Sequence, residues 1–209
     1  MNRAAFWIAK LRGDEAALAA MGAAEATLLA ELAGRDVAIV GNARALAEGR
    51  HGEAIEAADI VIRMNAAPIP DQASHGRRTD WLCTSVPLGQ DIIAARDPRR
   101  IVWVTPRRKR LSYRLASDPR FALYPARRAG ALAERLGSRP TTGLMVIDLA
   151  IASAARSVTL WGFDFFATQS LSGRRTAADV PHDFGAEAAH VAALIARDPR
   201  LRRGPVTPR

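Results

Sequence analysis

Only one cysteine, Cys83, occurs among 209 residues, so no disulfide can close within the chain. That suits a reducing compartment, and a cytoplasmic location is the expectation. No apolar run approaches the roughly 20 residues that a membrane-crossing helix needs. The early apolar stretch Ala4 to Ala9 is closed off by Lys10 and Arg12, so no secretory leader is expected. Asp-x-Asp is absent and no His or Cys cluster has ligand spacing, which argues against a metal site. Aromatic residues make up only 6% of the chain. With none interleaved among the arginines as a stacking platform, a nucleic-acid partner is not expected. Gly41-Asn42-Ala43-Arg44 lacks the Gly-x-Gly-x-x-Gly of a dinucleotide site, which sets aside an oxidoreductase of that type.

Positive charge is abundant. The formal net charge is +9, and between Arg96 and Arg139 the only acids set against 13 Arg or Lys are Asp97, Asp118 and Glu134. Such a stretch attracts polyanions. Charge alone does not separate a solvated Arg-rich surface from a site for anionic lipid, acidic glycan or nucleic acid.

Short apolar runs recur at Val37–Val40, Ile60–Ile62, Trp81–Thr84, Ile101–Val104 and Val158–Trp161, with helical segments between most of them. Near-continuous apolar strands alternating with helices predict an α/β fold whose mostly parallel sheet is covered on both faces. Ahead of them, Leu18, Met21, Leu28 and Leu32 fall on one stripe of a packing helix starting near Asp14. The chain divides into an N-terminal helical extension (1–33), one α/β domain (34–203) and a frayed tail (204–209). In such a sheet, ligands gather beyond the carboxyl ends of the strands. Gly41-Asn42, Met64-Asn65, Thr84-Ser85 and Gly162-Phe163-Asp164 each fall at such an end.

The residue types at these ends suit an anionic ligand. Gly41 lets backbone approach closely, and Asn42 and Asn65 offer amides for phosphate, ribose or base. Thr141, Thr142 and the Gly143 amide open a helix whose dipole favours negative charge, and Arg139 adds a full positive charge beside it. Turn geometry for the asparagines and simple capping for Thr142 are the plainer alternatives. His182 titrates near neutrality, which suits a general base, while a loop histidine is its plainer reading.

Three motifs occur in order. The first runs from Val37-Ala38-Ile39-Val40-Gly41-Asn42 through Arg63-Met64-Asn65-Ala66-Ala67-Pro68 to Gly76-Arg77-Arg78-Thr79. It resembles the long sialylmotif of sialyltransferases. Thr141-Thr142-Gly143, followed by a helix, a strand and Trp161-Gly162-Phe163, resembles the small motif. His182-Asp183-Phe184-Gly185-Ala186-Glu187 resembles the very short motif. The Arg139-Pro140-Thr141-Thr142-Gly143 and Gly162-Phe163-Asp164-Phe165 pieces also resemble bacterial lipooligosaccharide sialyltransferases.

The resemblance implies a Rossmann-like, GT-A-like sialyltransferase fold, with inverting transfer of sialic acid from a CMP-sugar to a glycan or lipid-linked acceptor. It implies no metal or other cofactor. It assigns donor binding to Gly41, Asn42, Asn65, Thr84, Ser85, Arg139, Thr141, Thr142, Gly143, Gly162 and Asp164. His182 becomes the base, and Glu187 a catalytic or orienting group. Bacterial surface polysaccharide or lipooligosaccharide synthesis is the implied setting, with the Arg-rich segment making peripheral contact with an anionic inner membrane.

The sequence also departs from these families. Val37 and Ala155 occupy the positions of the vertebrate disulfide, and Ala167 to Pro181 contains no aromatic residue where a His-Tyr-Tyr-Glu-like motif would fall. Phe165 and Phe166 stand near the place of phosphate-binding tyrosines, which shifts leaving-group stabilisation to Arg139, to Arg174 or Arg175, or to backbone amides. Ser170 to Asp179 is the material for an acceptor lid. Transfer from another CMP-keto-sugar such as Kdo, and non-catalytic binding of a polyanion or nucleic acid on a nucleotide-binding fold, remain alternative readings.

Overall fold

The computed structural model describes residues 1–164 and 182–205. Seven strands build one sheet: β1 (Asp36–Val40), β2 (Ile60–Met64), β3 (Trp81–Thr84), β4 (Arg100–Trp103), β5 (Phe121–Leu123), β6 (Ser157–Trp161) and β7 (Leu201–Arg203). Their spatial order is β5-β4-β3-β2-β1-β6-β7, and every pairing is parallel. The chain lays down β1 to β5 in one direction, then returns to place β6 on the free side of β1. That reversal between β1 and β6 is the point where ligands collect in open parallel sheets.

Both faces of the sheet are buried because successive strand residues point to opposite sides. Val37 and Ile39 of β1 join Ile60, Ile62, Trp81, Cys83 and Val102 in the main core, beneath the helices Glu25–Leu32, Ala126–Leu136 and Thr142–Ala152. Ala38 and Val40 face the other way, against Leu46 and Ile55. Val37 and Ala155, the positions of the vertebrate disulfide, both lie in the main core. Arg63 is an exception on β2, a charged residue only 2% exposed. Its guanidinium donates to the Arg78 carbonyl at 2.8 Å and to the His75 carbonyl at 2.7 Å. Burial, the largest cause, brings its pKa down to about 10.

The helical stripe expected from Asp14 to Leu32 is corrected to two helices, Glu15–Ala19 and Glu25–Leu32. Between them the chain runs against the edge strand β5. The Ala23 N–H donates to the Phe121 carbonyl at 2.9 Å, and Ala23 forms an isolated parallel bridge with Ala122. Gly22 permits the approach: a Cβ there would lie 2.3 Å from the Phe121 oxygen. The segment Arg44–Glu48, after β1, is a 3₁₀ turn. Strands β5 and β7 extend the sheet beyond the five runs read from the sequence. Pairing continues past β7, where the Gly204 N–H donates to the Leu160 carbonyl at 2.8 Å.

Replacing Gly22 with alanine forces the backbone away from β5. The expected loss is about 2 kcal/mol of stability, read by denaturant unfolding.

Candidate active site

The carboxyl ends of β6, β1, β2, β3 and β4 form one continuous edge, and the helix Thr142–Ala152 begins above it. Gly41 and Gly162 bring β1 and β6 together at the reversal. A side chain on Gly41 would overlap the Gly162 carbonyl, and Gly162 adopts φ 65°, which favours glycine. Asn65 also has positive φ, 55°, a conformation asparagine tolerates. This turn sends its side chain across to the end of β3.

Hydrogen bonds tie these ends together. The Asn65 Oδ1 accepts from the Ser85 N–H at 3.1 Å, with the Thr84 hydroxyl at 3.5 Å. The Ser85 and Thr142 hydroxyls meet at 2.7 Å, and the Asn42 amide donates to the Met64 carbonyl at 3.4 Å. The cap of the helix is Thr141, whose Oγ1 accepts from the Leu144 N–H at 3.2 Å. Thr142, one position inside, is thereby free to reach Ser85. Gly143 keeps the helix close to the edge, since a Cβ there would lie 2.9 Å from the Phe163 ring.

Thr141 is held in turn by Glu187. One carboxylate oxygen accepts from the Thr141 N–H at 2.6 Å, the other from its hydroxyl at 2.7 Å. Glu187 lies in the first turn of the helix Phe184–Arg197, whose N-cap is Asp183. It is 1% exposed. Burial raises its pKa and the Asp183 charge adds to the rise, while the Thr141 hydrogen bonds oppose it. Both oxygens are thus occupied by Thr141, and Glu187 ties the cap of one helix to the first turn of the other.

His182 lies just before that helix, and its Nδ1 is 2.7 Å from the Arg139 carbonyl. A carbonyl oxygen only accepts, so Nδ1 carries the proton and the neutral ring keeps its lone pair on Nε2. Burial lowers the His182 pKa, the hydrogen bond to the Arg139 carbonyl opposes it, and the charges of Arg139 and Arg107 add to the lowering, so the net shift favours this neutral form. Arg139 donates to the buried Thr105 hydroxyl at 3.2 Å, and among the described residues its buried Nε has no hydrogen-bond partner. Burial, then the charges of Arg107 and Arg110, depress its pKa. Among the described residues, no carboxylate pairs with Arg107, Arg110 or Arg139. The turn bearing Arg107 and Arg110 is anchored by Arg108, which is bonded to Glu15 and donates to the Thr105 and Tyr124 carbonyls. Beside it, a cavity of about 200 Å³ is lined by Thr84, Leu88, Trp103, Arg110 and Arg114, among others.

The structure thus brings together Gly41, Asn42, Asn65, Thr84, Ser85, Thr141, Thr142 and Gly143, with Gly162 and Asp164 at the β6 end and Arg139 and His182 flanking the helix. Thr105, Arg107 and Arg110 join them unforeseen by the sequence reading, where the only sign was the general excess of arginine. Phe165, Phe166, Arg174, Arg175 and the lid segment 170–179 lie outside the described residues. Among the described residues, no group of three or more His, Cys, Asp or Glu side chains is arranged to hold a metal ion.

Residues 17–96, less than half the chain, match the model of glycosyltransferase family 29 (sialyltransferase). The match spans β1 to β3 and carries Gly41, Asn42, Asn65, Thr84 and Ser85. A mammalian sialyltransferase crystallised with Gal-beta-1-3GalNAc-ortho-nitrophenol shares the fold at TM-score 0.61 and 19% identity, over 86% of this chain and 78% of that one. The sialyltransferase CstII from Campylobacter jejuni, in complex with the substrate analogue CMP-3FNeuAc, does so at TM-score 0.56 and 16% identity, over 81% of this chain and 80% of that one. No curated protein matches the sequence. These structures show the GT-A-like α/β fold that this chain shares, and its matched segment is similar to a family of sialyltransferases.

Two measurements check this geometry. Glu187→Ala strands the Thr141 donors and is expected to cost about 3 kcal/mol of stability, with faster hydrogen exchange at the Leu144 amide. An NMR titration of the His182 ring is expected to give a midpoint below 6.5. The lowered pKa means that the associated stabilisation is present above pH 6.5 and is lost as pH falls.

Proposed function

We propose that the protein transfers a sialic-acid-like sugar from a CMP-activated donor to an acceptor hydroxyl, with inversion and without a metal. The observation that carries this reading is the His182 ring, fixed through Nδ1 on the Arg139 carbonyl with Nε2 left as an acceptor. In the step, the acceptor oxygen forms a bond to the anomeric carbon while its proton passes to Nε2. The bond from that carbon to the CMP phosphate breaks, and CMP leaves with the electron pair. Arg139 and the N-terminus of the Thr142–Ala152 helix supply the positive potential that the departing phosphate needs. Asn42, Asn65, Thr84, Ser85 and Gly162 line the edge where the nucleotide would rest.

The solved structure of CstII with CMP-3FNeuAc supports the choice of donor by likeness of fold. A glycan or lipid-linked acceptor of a bacterial surface suits the open side near Arg107 and Arg110. No helix among the described residues is long and apolar enough to cross a membrane. Peripheral contact with anionic lipid through the Arg-rich segment belongs to this reading.

Calorimetric titration is expected to show CMP binding, with UMP and NAD far weaker. His182→Ala should abolish transfer from CMP-sialic acid and leave CMP affinity within about threefold, because the lost group is a base rather than a binding contact. Undiminished turnover in that variant would remove His182 from the mechanism. Arg139→Ala is expected to weaken donor binding by about tenfold or more. Running the same assay with CMP-Kdo tests the alternative donor. Salt-sensitive polyanion binding with no CMP affinity would replace the transferase reading by a binding module.

A further inference from the structure

The helix Arg3–Arg12 is apolar on two opposite faces. Phe6 and Ala9 are buried in the cluster with Trp103, Leu111, Phe121 and Leu123. At about 100° per residue, Trp7, Ile8 and Leu11 project from the other side, where they are 49%, 52% and 90% exposed. Met1 beside them is 48% exposed, and among the described residues the only other large exposed apolar side chain is Val86. Scattered single exposures are ordinary on protein surfaces, but a contiguous stripe marks a contact.

The borders of the stripe are cationic. On the same helical wheel Arg3 and Arg12 flank it on either side, and the helix contains no acid. Lys10 fixes the arrangement from within: its Nζ donates to the Leu111 carbonyl at 2.7 Å and lies 4.4 Å from the centre of the Trp7 ring. Through Lys10, and through the Tyr113 hydroxyl donating to the Met1 carbonyl at 3.4 Å, the helix is joined to the turn carrying Arg107, Lys109 and Arg110. Those three side chains are exposed. The cationic border thus continues towards the cavity beside the candidate active site.

We propose that this face docks the protein onto an anionic membrane surface. Trp7, Ile8 and Leu11 enter the boundary between headgroups and acyl chains, and Arg3 and Arg12 meet the lipid phosphates. Charge complementarity selects this occupant. A symmetric second copy on the same stripe would bring like-charged arginines together, and a neutral apolar partner would leave them without counter-charge. The inference does not depend on the transfer reaction, but docking by this helix would bring the cavity near the lipid surface.

The test uses the full chain with vesicles of phosphatidylcholine alone or mixed with phosphatidylglycerol, read by flotation. Binding is expected to the mixed vesicles only, to weaken with added salt, and to be accompanied by a blue shift of tryptophan emission. Leu11→Glu is expected to cut the bound fraction by about tenfold with no change in unfolding midpoint, since Leu11 makes no core contact. Absence of binding to the mixed vesicles at low salt would overturn the proposal, as would full retention by Leu11→Glu. So would a wild-type dimer that Leu11→Glu renders monomeric, which would put a second copy on this face. CMP titration of the same samples keeps this result separate from the donor reading.

Discussion

The buried carboxylate of Glu187 holds the functional edge of this protein together. A carboxylate taken out of water needs donors to replace its hydration, and Thr141 provides two, its N–H and its hydroxyl. Because those donors belong to the cap of the Thr142–Ala152 helix, satisfying the carboxylate also fixes where the Phe184–Arg197 helix begins. His182 stands just before that beginning and reaches the Arg139 carbonyl only from there. Glu187 thereby links the cap, the histidine and the arginine.

Around this link the site has two unlike halves. Along β1 to β3, hydroxyl and amide groups bond one another from Asn42 to Thr142, so the edge is organised before any ligand arrives. At β4 the balance is reversed: among the described residues, Arg107, Arg110 and Arg139 gather without a carboxylate, and the Arg139 Nε has no hydrogen-bond partner. Fixed dipoles on one side and net positive charge on the other suit a ligand that is polar at one end and anionic at the other. On the proposed reading those ends are the nucleoside and the phosphate with its neighbouring sugar carboxylate.

Much of this could be read from residue order. β1, β2, β3, β4 and β6 are apolar runs buried on both faces, and such runs announce themselves. β5 and β7 are three residues each, and of β7 only Leu201 is buried, so neither has enough pattern to stand out. The apolar stripe from Leu18 to Leu32 concealed a break, because the cause of the break, the Phe121 carbonyl, is distant in sequence. Asn42, Asn65 and Thr142 were legible as motif members, and their meeting followed from the parallel topology. Arg107 and Arg110 were not, since no local pattern distinguishes them from the other arginines and only tertiary packing sets them near Arg139. A simple cap was the plainer alternative for Thr142, and the structure gives that role to Thr141.

The strand order has a consequence for how the molecule comes into being. β1, at the amino end of the domain, acquires its second neighbour only when β6 is inserted beside it, after four other strands have been laid down. Until then one edge of β1 exposes unpaired backbone and Gly41 lacks the Gly162 carbonyl against which it closes. A chain emerging from the ribosome therefore carries an adhesive, half-covered sheet until β6 is made. The pairing of β1 with β6 is long-range and correspondingly slow to find. The returning strand β6, made after β2 to β5, is thus the one that closes β1 and brings Gly162 to Gly41.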